Sequence, residues 1–72
     1  MPILVGARVR QLNVFDASAG ATAANAGREG EVVGLGRTRA EVAFDGATAI
    51  RNFRPTDEPM THRIAGRLLR VL

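Results

Sequence analysis

The chain has few side chains that could carry out catalysis. Its 72 residues include one histidine, His62, one serine, Ser18, and no cysteine. Nucleophilic catalysis needs a nucleophile beside a base, and His62 has no recognisable catalytic companion. Asp57 and Glu58 are adjacent carboxylates, and because neighbouring side chains diverge we expect them to act at a turn and not as an acid–base pair. The sequence therefore predicts a protein without catalytic residues.

Cofactor and metal sites have equally little support. Gly34 and Gly36 form a short glycine motif, but no helix is expected after it, and a phosphate-binding loop requires one. A chain without cysteine has neither thiolate ligands nor disulfides, and His62 has no recognisable companion ligand. We expect no cofactor and no metal, and we interpret His62 as a solvated surface residue.

Alternation of apolar and polar residues predicts β-strands in two regions, 3–12 and 31–53. In the first strand Val9 is expected to face inward and Arg8 outward, with a bend near Gln11. The second region divides into three strands, around residues 32–33, at 39–45 and at 47–53.

The dipeptide Asp45–Gly46 is typical of a two-residue type I′ turn, because both residues tolerate positive φ. It is expected to join a strand that buries Phe44 to a strand that buries Ile50. Phe53 has the wrong parity to share a face with Ile50, but we interpret it, like Phe44, as a core residue.

Two segments lack strand periodicity. Residues 16–28 are small and polar, with glycines as breakers, and are expected to form a long loop. Residues 54–59 contain Pro55 and Pro59, which are expected to end regular structure around a single 3₁₀ turn.

The last twelve residues, 61–72, have a helical pattern. Apolar residues recur on one side, with Arg63, Arg67 and Arg70 on the other, and Thr61 is a plausible N-cap. We expect a short amphipathic helix that either covers an open end of the fold or binds a partner or a second copy. Its candidate docking residues are Ile64, Leu68, Leu69 and Leu72.

The charge is unevenly distributed. All ten basic residues are arginine, and the formal net charge is +3. Seven arginines and seven acidic residues balance over residues 1–60, so the excess lies in residues 61–72. A neutral body is weak support for nucleic-acid binding, which needs clustered positive charge. No apolar run reaches the ~18 residues of a membrane span and no signal peptide is recognisable, so we expect a cytoplasmic protein that is not secreted.

Together these elements predict a mainly β fold: a small SH3-like antiparallel barrel over residues 1–60, with a long first loop, followed by the helical tail. A chain this short has a small core. Without disulfides it is expected to rely on an efficient core, on self-association or on a partner.

Three resemblances accompany this fold. The segment GREGEVVGLGRTRAEVAFDG, residues 27–46, resembles the KOW motif of ribosomal and transcription-elongation proteins, which implies contact with nucleic acid. VGARVRQL, EGEVVG, AEVAFDG and IRNFRPTDE are similar to the peripheral photosystem I barrel subunit and related accessory subunits, which implies docking in an assembly. The rhythm of these segments also resembles type II dihydrofolate reductases. The VQIY strand that carries the contacts of those enzymes reads IRNF here, at residues 50–53, so their activity is not implied.

We therefore expect a non-catalytic accessory or adaptor protein that docks through its barrel and tail within a larger complex or particle. Association with further copies of itself, as a homo-oligomer, is an open alternative. The alternative is a KOW-like nucleic-acid-binding protein whose arginines contact phosphates. Its candidate contacts are Arg8, Arg10, Arg37, Arg39, Arg51, Arg63, Arg67 and Arg70.

Overall fold

The computed structural model describes residues 2–72 and contains one five-stranded antiparallel sheet. The strands are β1 (Arg8–Gln11), β2 (Glu29–Leu35), β3 (Arg39–Arg51), β4 (Arg54–Ala65) and β5 (Leu69–Val71). Their order across the sheet is β4-β3-β2-β1-β5. The mainly β prediction is confirmed. The sheet is open and not a closed barrel, because β4 and β5 form its two edges and do not pair with each other within residues 2–72.

The core lies on one face of the sheet, where inward residues of all five strands meet. Alternation along each strand brings valine, isoleucine and leucine side chains to this face while arginine and glutamate face outward. Phe44 is buried there, as predicted. The buried strand residues are Val9, Val32, Ala40, Val42, Phe44, Ile64 and Leu69.

Loop 16–28 covers part of this core, and its interpretation as an irregular segment is confirmed. It contains only two single 3₁₀ turns, Ala17–Ala19 and Ala23–Asn25. Gln11, where β1 ends, holds the loop. Its amide nitrogen donates to the Arg28 carbonyl at 3.1 Å, and its buried side-chain Nε2 donates to the Thr22 carbonyl at 2.9 Å.

The predicted turn at Asp45–Gly46 is wrong, because β3 continues through it to Arg51. Gly46 does adopt a positive φ of 77°. Gly46 lies within an irregularity of the β3–β4 ladder, where the register shifts between Ala43 and Thr48. The chain reverses further on, at Asn52–Phe53, where both residues have positive φ.

Residues 54–59 are part of a strand, which corrects the prediction that the prolines end regular structure. Pro55 pairs with Ile50 and Pro59 pairs with Thr48. Proline is tolerated here because β4 is an edge strand, where a missing N–H costs no ladder hydrogen bond on the solvent side.

The second half of β3 and the first half of β4 form a hairpin arm, residues 45–60. In this arm β3 pairs only with β4, because its pairing with β2 ends at Phe44. This arm accords with the elongated shape of the molecule, 38 × 24 × 21 Å. Ile50 and Phe53, predicted to be buried, are exposed because the arm is a two-stranded hairpin that no other part of residues 2–72 covers at these positions.

The predicted helix over residues 61–72 is also wrong. Residues up to Ala65 belong to β4, and a single 3₁₀ turn, Gly66–Leu68, leads directly into β5. The turn changes the parity of the chain, so that Ile64 before it and Leu69 after it both face the core. The apolar spacing that indicated a helix therefore arises from two strands joined by one turn. No helix among residues 2–72 is long and apolar enough to cross a membrane.

Candidate functional site

The four predicted docking residues of the tail do not form a common surface. Ile64, Leu68 and Leu69 are 0%, 7% and 9% exposed, and all three pack in the core of this same chain. Leu72 alone is exposed, at 52%. The apolar side of segment 61–72 therefore completes the fold.

Four of the eight arginines proposed to contact nucleic acid are ion-paired. Each lies on the surface beside a carboxylate, and exposed pairs of this kind contribute little to stability because water screens them. The pairs are Arg8–Asp45 at 2.5 Å, Arg10–Glu29 at 2.9 Å, Arg51–Glu58 at 2.7 Å and Arg67–Asp16 at 3.5 Å. Their charges are already balanced locally.

Two of these carboxylates have perturbed acidity. The hydrogen bonds from Arg8 hold the pKa of Asp45 below its ordinary value of 3.8. A hydrogen bond from the Ser18 hydroxyl, at 2.6 Å, lowers the pKa of Asp16, and Arg67 lowers it further. The same hydrogen bonds with Asp45 raise the pKa of Arg8 above its ordinary value.

Three other arginines, Arg37, Arg39 and Arg63, line one cleft beside the loop that joins β2 to β3. The cleft has a volume of about 370 Å³ and also contains the carboxylate of Glu41. Within the part of the chain that the structure describes, none of the three arginines forms an ion pair. This cluster, which we call the arginine cleft, therefore differs from the paired surface arginines.

Arg39 is fixed within the arginine cleft by backbone carbonyls. Its Nη1 donates to the Arg63 carbonyl at 3.4 Å, and its Nη2 donates to the carbonyl of Ser18. Carbonyls carry no net charge, so the guanidinium is held in place while its charge stays unneutralised. The last of the eight, Arg70, lies on β5 opposite Arg10 and away from the cleft.

The tip of the hairpin arm presents a second candidate surface, which the sequence prediction missed. Phe53 is 102% exposed and has a φ of 63°, a conformation that bulky residues rarely adopt. Arg54 follows it, and exposed Ile50 precedes it on the same arm. The signal for this exposure was the parity of Phe53, which did not match the inward face.

The residues considered for catalysis are not assembled into a site. The His62 ring packs against Phe44, with ring centroids 5.8 Å apart, and is half-buried, unlike the solvated residue that was expected. Glu58 pairs with Arg51 and not with Asp57. Among residues 2–72, no three histidine or carboxylate side chains lie close enough together to hold a metal ion.

Comparison with known proteins gives no family assignment. No protein-family model, curated protein or solved structure matches this chain.

Proposed function

We propose that the chain is a non-catalytic docking protein that works within a larger protein assembly and binds its partner through the tip of the hairpin arm. The observation that carries the proposal is the complete exposure of Phe53 at a positive φ. Because Ile64, Leu68 and Leu69 of segment 61–72 are buried in the core, we expect the arm, and not the tail, to dock.

Neither packing nor turn chemistry accounts for a phenylalanine at this position. A two-residue hairpin turn with positive φ at both residues favours Asn–Gly, and here the pair is Asn52–Phe53. Left-handed backbone costs a residue with a Cβ about 1–2 kcal/mol. Burying a phenylalanine is worth about 1.5–3 kcal/mol, so a partner's apolar pocket would offset the strain.

The outer edge of the arm is poorly suited to strand addition. Pro55 and Pro59 remove two backbone donors from β4, the edge strand. A partner that paired with this edge would find an interrupted ladder. Contact through side chains at the tip is therefore the favoured mode.

An SH3-like fold remains part of this proposal. The strand order β4-β3-β2-β1-β5, with a 3₁₀ turn directly before the last strand, is compatible with it. Such small β folds support many unrelated functions, so the fold alone does not decide between docking and nucleic-acid binding.

The test compares two exposed phenylalanines. The tagged full chain is isolated from its native source, and the proteins that co-purify in stoichiometric amounts are quantified for wild type, Phe53→Ala and Phe15→Ala. Phe15 is a matched control, because it is 69% exposed but lies outside the arm. We expect Phe53→Ala to deplete the partner at least about tenfold, since truncation of an interface anchor costs about 2 kcal/mol or more. Equal recovery with both variants, or loss only with Phe15→Ala, would overturn the proposal.

Light scattering on the purified chain extends this test to self-association. If Phe53 docks on a second copy, the wild type forms an oligomer and Phe53→Ala becomes a monomer. Phe15→Ala keeps the oligomer in that case.

Nucleic-acid binding, as in KOW-like proteins, is the second candidate. It is favoured by the arginine cleft, whose charges have no ion-pair partner among residues 2–72. It is disfavoured by the four paired arginines, which reduce the electrostatic footprint on which such binding depends. We expect oligonucleotide affinity no tighter than the non-specific range of about 10⁻⁴–10⁻⁶ M at physiological salt. Titration of a labelled duplex at two salt concentrations measures it, and a markedly tighter complex would favour this candidate.

A further inference from the structure

The arginine cleft has the properties of an anion site. We propose that it binds the phosphate group of a small molecule through the guanidinium groups of Arg37, Arg39 and Arg63. Its volume, about 370 Å³, lies within the range of about 300–1,000 Å³ that is common for small-molecule sites.

Arg39 supplies the preorganised part of this site. A guanidinium has five N–H donors, and the two carbonyls that hold Arg39 use two of them. Three donors therefore stay available to a ligand. Because the side chain is already fixed, binding orders fewer rotamers, and a planar guanidinium matches the geometry of phosphate oxygens.

Arg37 and Arg63 supply charge that no neighbouring carboxylate of the described chain neutralises. Neither guanidinium donates a hydrogen bond or forms an ion pair anywhere in residues 2–72. Three like charges around one cleft repel one another, and an anion between them relieves that repulsion.

Glu41 is the one carboxylate among the described residues that line the cleft. Its Oε1 accepts a hydrogen bond from the Thr61 hydroxyl at 2.8 Å, so the carboxylate has a partner on β4. With Glu41 counted, the cleft keeps a formal charge of +2. A phosphate monoester carries about −1.5 to −2 at pH 7, which matches this charge.

The backbone around the cleft is held by two hydrogen bonds. The Gly36 amide donates to the Arg39 carbonyl at 2.7 Å, and the Gly66 amide donates to the Thr38 carbonyl at 3.1 Å. The loop between β2 and β3 is thus tied both to itself and to the 3₁₀ turn before β5. This arrangement offers side-chain guanidinium groups, unlike a glycine-rich loop that binds phosphate with backbone amides at a helix start.

The test is an NMR titration of the full chain with inorganic phosphate and with a nucleoside monophosphate, at constant ionic strength, with chloride as the reference anion. We expect saturable shifts confined to the amides of Gly34–Arg39 and of Arg63. The double variant Arg37→Gln/Arg63→Gln should weaken binding at least about tenfold. The matched variant Arg28→Gln/Arg70→Gln removes the same charge outside the cleft and should stay within about twofold of wild type. We expect both double variants to fold, because none of these four side chains has a hydrogen-bond or ion-pair partner among residues 2–72. Thermal melts check this.

The two probes distinguish the sources of phosphate. Equal affinities for inorganic phosphate and the nucleoside monophosphate would support a site that contacts the phosphate group alone. Tighter binding of the nucleotide would support a site that also contacts its sugar or base. Equal weakening by the two double variants would overturn the proposal, since general charge attraction would then explain the binding. Shifts that fail to saturate with either probe would also overturn it.

Discussion

The Asp45 carboxylate accepts two hydrogen bonds from the guanidinium of Arg8, at 3.1 Å and 2.5 Å. Arg8 lies on β1, and Asp45 lies where the β3–β4 register shifts, at the start of the hairpin arm. The same guanidinium lies 3.9 Å from Glu29 on β2. This bidentate pair therefore links the base of the arm to β1, two strands away from β3 in the sheet.

Acid should weaken this link, and the sign follows from the lowered pKa of Asp45. A carboxylate whose pKa is lower in the folded state stabilises the fold at pH values above its unfolded value, near 3.8, and that contribution is lost as the pH falls through the folded pKa. We expect Asp45→Asn to reduce the fall of the melting temperature that occurs as the pH drops below the unfolded pKa of 3.8. Asp57→Asn is the control, since Asp57 forms no ion pair within the described chain. Identical pH profiles for wild type and Asp45→Asn would contradict the expectation.

The buried position of Ile64 predicts a large loss of stability on truncation. Ile64→Ala should lower the free energy of unfolding by about 2–5 kcal/mol, because it leaves a cavity in the core. Leu72→Ala, at an exposed position of the same segment, should change it by less than about 0.5 kcal/mol. Denaturant titration measures both. Similar small effects would show that segment 61–72 is not part of the core.

Phe53→Gly should leave stability unchanged or raise it by up to about 1 kcal/mol, although it removes an aromatic ring. Glycine adopts positive φ without strain, and the phenylalanine ring packs against nothing among residues 2–72. Phe44→Ala provides the contrast, with an expected loss of about 3–5 kcal/mol. Thermal and denaturant unfolding give both values. A loss above about 1 kcal/mol for Phe53→Gly would mean that the ring has contacts in solution.

Gly20 is confined by both its backbone and its surroundings. Its φ is 83°, and a Cβ there would overlap the Arg63 carbonyl oxygen. Gly27 has a similar φ of 74° but open space around it. We expect Gly20→Ala to destabilise the protein by about 1–3 kcal/mol more than Gly27→Ala. Both variants place a side chain at positive φ, but only the new Cβ at position 20 also pushes against the Arg63 backbone. Urea denaturation of the two variants makes the comparison, and equal losses would indicate that backbone conformation alone matters.

The sequence was sufficient to predict the class of fold and the faces of its central strands. Val9 on β1 and Phe44 on β3 were expected to face inward, and their burial follows from the two-residue period of a strand. The turn was misplaced because an Asp–Gly pair suits a bulge as well as a hairpin. The tail was misread because one 3₁₀ turn between two strands imitates helical spacing.

The candidate site was harder to predict than the fold. Counting charges shows a balanced body, but it does not show which arginines have a carboxylate within reach. Arg10 and Arg39 have the same charge, yet one is bonded to Glu29 and the other to two carbonyls. That distinction depends on cross-strand register and loop packing, which local sequence patterns do not encode.

The position of β5 in the sheet also has a consequence for the folding rate. Its Leu69 pairs with Gln11 of β1, so the two strands must meet across nearly the whole described chain. Closing so long a loop costs conformational entropy before any contact compensates it. Topologies rich in such distant pairings fold in milliseconds to seconds, against microseconds for local ones. Until that closure, one edge of β1 stays unpaired, and the half-folded chain exposes a strand that can pair with another molecule.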